Sequence, residues 1–113
     1  MAIRNILTLK DETLRKKCKP VEKFDEKLWT LLDDMAETLK KANGVGLAAP
    51  QVGIIRRLAI IDLGEDGIID IINPEIIKTG GKQRDIEACL SCPGLAGYVT
   101  RPMTCTVKAQ DRN

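Results

Sequence analysis

The stretch GVGLAAPQ, Gly44 to Gln51, holds two glycines, two alanines and a proline in eight positions and carries no ionisable side chain. Its Gly44, Gly46 and Ala49 satisfy the letters G-x-G-x-x-A, a pattern in which glycine backbone meets a dinucleotide pyrophosphate at a helix N-terminus. That pattern needs a strand before it and a helix after it. Here the order is wrong, because the apolar residues upstream have helical spacing. Leu28, Leu31, Leu32, Met35 and Leu39 recur at i, i+3, i+4, i+7 and i+11, with Asp33, Asp34, Glu37 and Lys40 between them. This predicts an amphipathic helix from Asp25 to about Lys41. Asp25 suits the N-cap, Lys40 and Lys41 suit the negative end of the helix dipole, and Asn43-Gly44 supplies a left-handed stop. Downstream, Pro50 and Gly53 oppose a second helix. The stretch therefore reads as a tight connection from a helix into strands, with glycine giving positive φ and alanine giving close packing.

After Gly53 the period changes. RLAIIDL (Arg57 to Leu63) and IIDII (Ile68 to Ile72) are short β-branched runs around the turn-forming GEDG, which predicts a hairpin closed by Asn73-Pro74. EIIKTGGKQRDIE predicts another strand, a Gly-Gly turn and a return strand reaching Glu87. MTCTVKAQ alternates Cys105, Val107 and Ala109 with Thr104, Thr106 and Lys108, the pattern of a strand with one buried face. One helix and several short strands, with no repeat and no linker, indicate a single α+β domain over residues 1–113. The final DRN begins a turn after a strand with no following partner, so the domain is expected to stop short at its C-terminal end.

Composition excludes several functions. The 113 residues carry 18 Lys and Arg against 16 Asp and Glu, a net charge of +2 with both signs interspersed, which leaves no basic footprint for nucleic acid. One Trp, one Tyr and one Phe provide no stacking platform. No apolar run approaches the ~18 residues of a membrane span, and the N-terminus lacks the apolar stretch of a signal peptide. The expectation is a soluble cytoplasmic protein. In such a reducing setting Cys18, Cys89, Cys92 and Cys105 are read as free thiols or metal ligands rather than disulfides. There is no histidine.

A second stretch, EACLSCPGLAGYVTRP from Glu87 to Pro102, lies roughly forty residues beyond the first. Gly-x-Gly-Leu-Ala-Ala-Pro-Gln followed by Glu-x-Cys-Leu-Ser-x-Pro-Gly resembles the first two signature motifs of the peptide deformylases, and VGLAAPQVG, INPEII and the Arg101-Pro102 pair agree with that likeness. The resemblance covers essentially the whole chain. It implies a deformylase-like α+β fold of mixed and antiparallel strands around helices, here without the C-terminal strands and the metal-binding helix. It also implies an activity, the metal-dependent removal of the N-terminal formyl group from nascent formylmethionyl polypeptides.

Carried onto this sequence, the resemblance makes Cys89 a thiolate ligand of a divalent metal, Fe(II) in the family and Zn or Ni in preparations. Gln51 and the Leu90 N–H become the donors to the formyl oxygen as it gains charge, with Gly46 beside them in the catalytic group. Gly44, Val45, Gly46, Glu87 and Ala88 become substrate-binding positions, and Glu87 with Arg101 an ion pair bracing the Cys89 loop. The implied partner is a formylated nascent peptide at the ribosome, with no nucleic-acid or membrane contact, and the face left uncovered is expected to favour self-association.

The chain departs from the family pattern in three places. Ala88 stands where glycine is usual and Cys92 where an aliphatic residue is usual. The third motif, H-E-x-x-H, is absent, and with it the two histidine ligands and the general-acid or general-base glutamate. A hydrolytic metal site needs three protein ligands and a position for water, so these residues alone are expected to lack meaningful turnover. The alternative is a non-catalytic peptide- or ribosome-binding module on the same scaffold. Cys89-Leu90-Ser91-Cys92 is also a CxxC; Pro93-Gly94 opposes the helix that a thioredoxin-type redox pair uses, and no second CxxC supports structural zinc. Cys18, Cys92 and Cys105 read most simply as small buried hydrophobes.

Overall fold

Asp25 opens the only α-helix among the described residues. Its side chain accepts the Leu28 N–H at 3.3 Å, and α1 runs Glu26–Lys41 with Glu26 in its first turn and Lys40 and Lys41 in its last, as the helix dipole favours. Asn43, at φ 55, ends it in the left-handed region, and the Gly44 N–H closes back on the Leu39 carbonyl at 3.2 Å. The computed structural model describes residues 2–112.

The strands are β1 (Gly46–Ala48), β2 (Leu58–Asp62), β3 (Ile68–Gly80), β4 (Gln83–Ala88), β5 (Ala96–Arg101) and β6 (Thr104–Gln110). Four form an antiparallel sheet in the order β1-β2-β3-β6, and β4 and β5 form a separate antiparallel pair. The α1 stripe packs on the first sheet. Leu28, Leu32, Met35 and Leu39 meet Leu47, Leu58, Ile60 and Ile72, and in the ladder Leu47 stands opposite Ile60 and Leu58 opposite Ile72, so the core face is continuous across three strands. Leu31, at the margin of the stripe, is half-buried.

Asp34, which the helical pattern places on the polar side, is buried. Its carboxylate accepts the Ala2 N–H at 2.7 Å and the Arg4 Nε–H at 3.0 Å, and the Thr38 hydroxyl accepts the Arg4 N–H at 2.8 Å. The N-terminal segment is thereby fastened along α1. The Ala2 N–H, followed by Arg4, holds the Asp34 carboxyl below its ordinary 3.8, opposing the effect of burial. A depressed folded pKa means that this stabilisation is complete above 3.8 and is lost as pH falls through the lower folded value. Amide exchange at Ala2 and Arg4 is therefore expected to accelerate below that pH before the α1 amides do; simultaneous loss of both would contradict the assignment.

The hairpin of β2 and β3 forms as the sequence predicts, but three features differ. Asn73-Pro74 does not end a strand: β3 runs through it, with a register shift against β6 between Ile72 and Glu75. The bulge takes up the missing proline N–H, and Asn73 at φ 52 is clasped from outside. Its Oδ1 accepts the Val21 N–H at 2.7 Å while its Nδ2 donates to the Val21 carbonyl and to Gln110 Oε1, both at 2.9 Å. Nor do the segments around Gly80-Gly81 pair with each other, since β3 turns to β6 and β4 to β5. Finally, β6 has no buried face. All seven of its residues are exposed, because no described element covers that side of the sheet edge.

Candidate active site

The quoted stretch folds into three pieces. Gly46–Ala48 pairs with β2, Ala49–Val52 makes one 3-10 turn with Pro50 as its second residue, and Gly53 at φ 86 stops it. The sequence thus failed to anticipate both the short strand and the single helical turn. The two motif segments meet at Gly44. A methyl group there would stand 2.7 Å from Leu90 Cδ1 and 2.8 Å from Leu39 Cδ1, so the missing side chain lets Leu90 reach the end of α1. The requirement at Gly44 is close approach rather than positive φ.

Leu90 packs its side chain against the core, and its backbone N–H meets no acceptor among the described residues. Gln51 lies across from it. Its Oε1 accepts the Ala48 N–H at 2.9 Å, which fixes the amide so that Nε2 points at the other loop. There Nε2 donates to Ser91 Oγ at 3.0 Å and, more weakly, to Cys89 Sγ at 3.6 Å. Backbone bonds from the N-terminal segment hold both loops: the Leu7 N–H donates to the Gln51 carbonyl at 2.6 Å and the Leu9 N–H to the Ser91 carbonyl at 2.8 Å.

Gly44, Val45, Gly46, Gln51, Ala88, Cys89 and Leu90 line one cleft of about 440 Å³, together with Asn43. Such a volume suits a small organic or peptide side chain. Glu87 and Arg101 lie outside it. Arg101 forks onto the Glu87 carboxylate, Nε to Oε2 at 2.6 Å and Nη2 to Oε1 at 2.8 Å, which braces β4 against β5 behind Cys89. The hydrogen bond from Arg101 holds the Glu87 carboxyl below its ordinary range, so the pair stays charged through neutral pH. Both Glu87 oxygens accept from Arg101, and Glu87 is not one of the residues that line the cleft. Ser91, buried and bonded to Gln51, is the partner that sequence reasoning gave no role, although its place in the second motif was a signal.

Of the cysteines, Cys89 and Cys105 are exposed while Cys18 and Cys92 are half-buried, so none is the fully buried hydrophobe that composition suggests for three of them. A hydrolytic metal needs three converging protein ligands. Among the described residues no three His, Cys, Asp or Glu side chains converge, and Cys89 is the one metal-ligating group in the cleft. The residues present do not by themselves fit the metal that the resemblance implies.

A sequence model of the polypeptide deformylase family matches residues 3–113. The peptide deformylase of Caldicellulosiruptor bescii is 56% identical over 112 residues, 99% of this chain and 67% of that protein. That of Acetivibrio thermocellus is also 56% identical, over 99% of this chain and 65% of that protein. Among solved structures, a peptide deformylase from Legionella pneumophila superposes with a TM-score of 0.95 at 52% identity, covering 98% of this chain and 67% of that one. One from Ehrlichia chaffeensis in complex with actinonin gives 0.96 at 36% identity, covering 100% and 71%. The chain thus spans about two thirds of the length of the relatives it matches. With both motif loops meeting at one cleft and this likeness running from one end of the chain to the other, the chain belongs to the polypeptide deformylase family.

Proposed function

We propose that these residues form the acyl-recognition half of a peptide deformylase site, acting on the formyl group of nascent formylmethionyl polypeptides in the cytoplasm. One observation carries this reading: a fixed amide donor, Gln51 Nε2, and the unengaged Leu90 N–H flank the same thiol, Cys89. Two donors beside one reacting position suit a carbonyl oxygen that gains charge during acyl transfer, where each donor is worth about 2.7–4 kcal/mol. The weaker Gln51 contact, to sulfur, is the one a substrate oxygen displaces. Gly44, Val45 and Gly46 form the wall for the methionine side chain, and Ala88 borders the peptide backbone. Glu87 and Arg101 serve as bracing rather than as substrate contacts.

The hydrolytic half is a metal with two further ligands and a general base; the 113 residues contain no histidine, and among the described residues no three ligand-type side chains converge to supply it. On this reading the 113 residues bind formylated peptide but do not turn it over, whether the resident metal of the active enzymes is Fe(II), Zn or Ni. The second reading is a non-catalytic peptide- or ribosome-binding module on the deformylase scaffold. Formate release from formyl-Met-Ala-Ser separates the two. The 113-residue chain is expected to give no release above Fe(II) or Ni(II) alone. A chimera joining residues 1–113 to the remaining third of the C. bescii deformylase is expected to turn over, and to lose turnover with Cys89→Ala. A folded, metal-loaded chimera without activity would favour the binding module, and turnover by the short chain would refute the division of the site.

A further inference from the structure

We propose that Cys89 and Cys92 form a reversible disulfide within one turn, so that the cleft thiol is a site of redox modification. The Cys92 N–H donates to the Cys89 carbonyl at 2.9 Å, which closes Cys89-Leu90-Ser91-Cys92 as a β-turn. The ends of such a turn lie within about 7 Å, Cα to Cα. Bridged cysteines span about 4.4–6.8 Å, a range that overlaps the end-to-end separation such a turn allows. The turn is anchored at its centre, where buried Ser91 holds Gln51 through its hydroxyl and Leu9 through its carbonyl. A second turn follows immediately. The Leu95 N–H donates to the Cys92 carbonyl at 3.2 Å across Pro93 and Gly94, and Gly94 at φ +74 occupies the position a type II turn reserves for glycine. These paired turns hold Cys92 beside Cys89 without the helix that thioredoxin-like pairs use. Cys105, by contrast, lies in β6 opposite Thr79, in the other sheet.

Exposure sets the order of reaction. The exposed Cys89 thiolate attacks a low-molecular-weight disulfide, RSSR, forming Cys89–S–S–R and releasing one RS⁻. The half-buried Cys92 then attacks the Cys89 sulfur, forming the Cys89–Cys92 bond and expelling the second RS⁻. The two cysteines lose two electrons, RSSR gains them, and the two thiol protons leave on two RSH. The oxidised turn withdraws Cys89 Sγ from Gln51 and from any metal; that consequence rests on the deformylase reading, whereas the bond itself rests only on the turn. Exposed disulfides in short turns belong to the readily reduced class, so thiol treatment restores the site.

The test is a thiol map of the full 113-residue chain after exposure to glutathione disulfide, alkylation and proteolysis, read by mass. The expected product is a Cys89–Cys92 cross-linked peptide two hydrogens lighter, with the exposed Cys105 carrying either the alkyl group or an unresolved glutathione and no cross-link, and the Cys89–Cys92 bond reversed by dithiothreitol. In Cys92→Ser the reaction is expected to stop at a Cys89–glutathione mixed disulfide, and in Cys89→Ser no cross-link forms. Accumulation of the mixed disulfide in the unsubstituted chain, pairing of Cys89 with Cys105, or an unreacted Cys89 would each overturn the proposal. The readout needs no turnover, so its failure leaves the deformylase reading standing, and an inactive chimera leaves the cross-link measurable.

Discussion

Gln51→Ala, introduced into the chimera completed with the C. bescii segment, is expected to lower kcat for formyl-Met-Ala-Ser by about 10²–10³-fold. The size follows from how the amide is held. Gln51 Oε1 is committed to the Ala48 N–H, so only Nε2 faces the cleft, and it does so already aimed at the position beside Cys89. A donor fixed before the substrate arrives needs no reorganisation when charge develops, so its loss appears in kcat more than in KM. Gln51→Glu is expected to be at least as damaging, because a carboxylate replaces the donor with an acceptor that faces Ser91 Oγ and Cys89 Sγ. Steady-state formate release at saturating peptide measures both. A loss under tenfold, or one confined to KM, would mean that Gln51 organises the loop without touching the reacting oxygen.

Leu32→Ala is expected to lower the stability of the 113-residue chain by about 2–5 kcal/mol. Leu32 is fully buried at the middle of α1, in the core it shares with Leu47, Ile60 and Ile72. Its removal costs both the transfer of the side chain and the cavity left behind. For a domain of this size the melting temperature is expected to fall on the order of 10–30 °C. Lys40→Ala, at an exposed position of the same helix, is expected to stay within about 0.5 kcal/mol. Thermal unfolding followed by circular dichroism measures the pair, and similar shifts for the two variants would remove α1 from the centre of the core.

Both expectations depend on features that were unequally legible in the sequence. Helix α1 was legible because local signals agreed: the Asp25 cap, the apolar period and the Asn43 stop all act within one element. The β2–β3 hairpin was legible for the same reason. Asn73-Pro74 misled because a turn signal is local, whereas the bulge that carries β3 through it depends on Val21 and Gln110, far away in the chain. The Gly-Gly pair misled similarly, since which strand β3 accepts as neighbour is settled across the sheet and not at the turn.

At the site, the motif spelling singled out Gln51, Cys89 and Leu90 as candidates, and the geometry brings all three to one cleft. The stitches from Leu7 to Gln51 and from Leu9 to Ser91 left no trace, because they are backbone bonds that any side chain permits. Buried Asp34 was misplaced for a related reason. A helical wheel counts a carboxylate as solvent-facing, and only the returning N-terminal segment supplies the donors that make its burial tolerable.

The most direct measurement of whether the 113 residues already hold an acyl-recognition site is an amide chemical-shift map of the chain titrated with formyl-Met-Ala-Ser and, separately, with unformylated Met-Ala-Ser. The predicted result is a saturable perturbation at Gly46, Gln51 and Leu90 that depends on the formyl group. Perturbation confined to the larger groove of about 600 Å³ near Lys19 and Arg56, or equal responses to the two peptides, would contradict it.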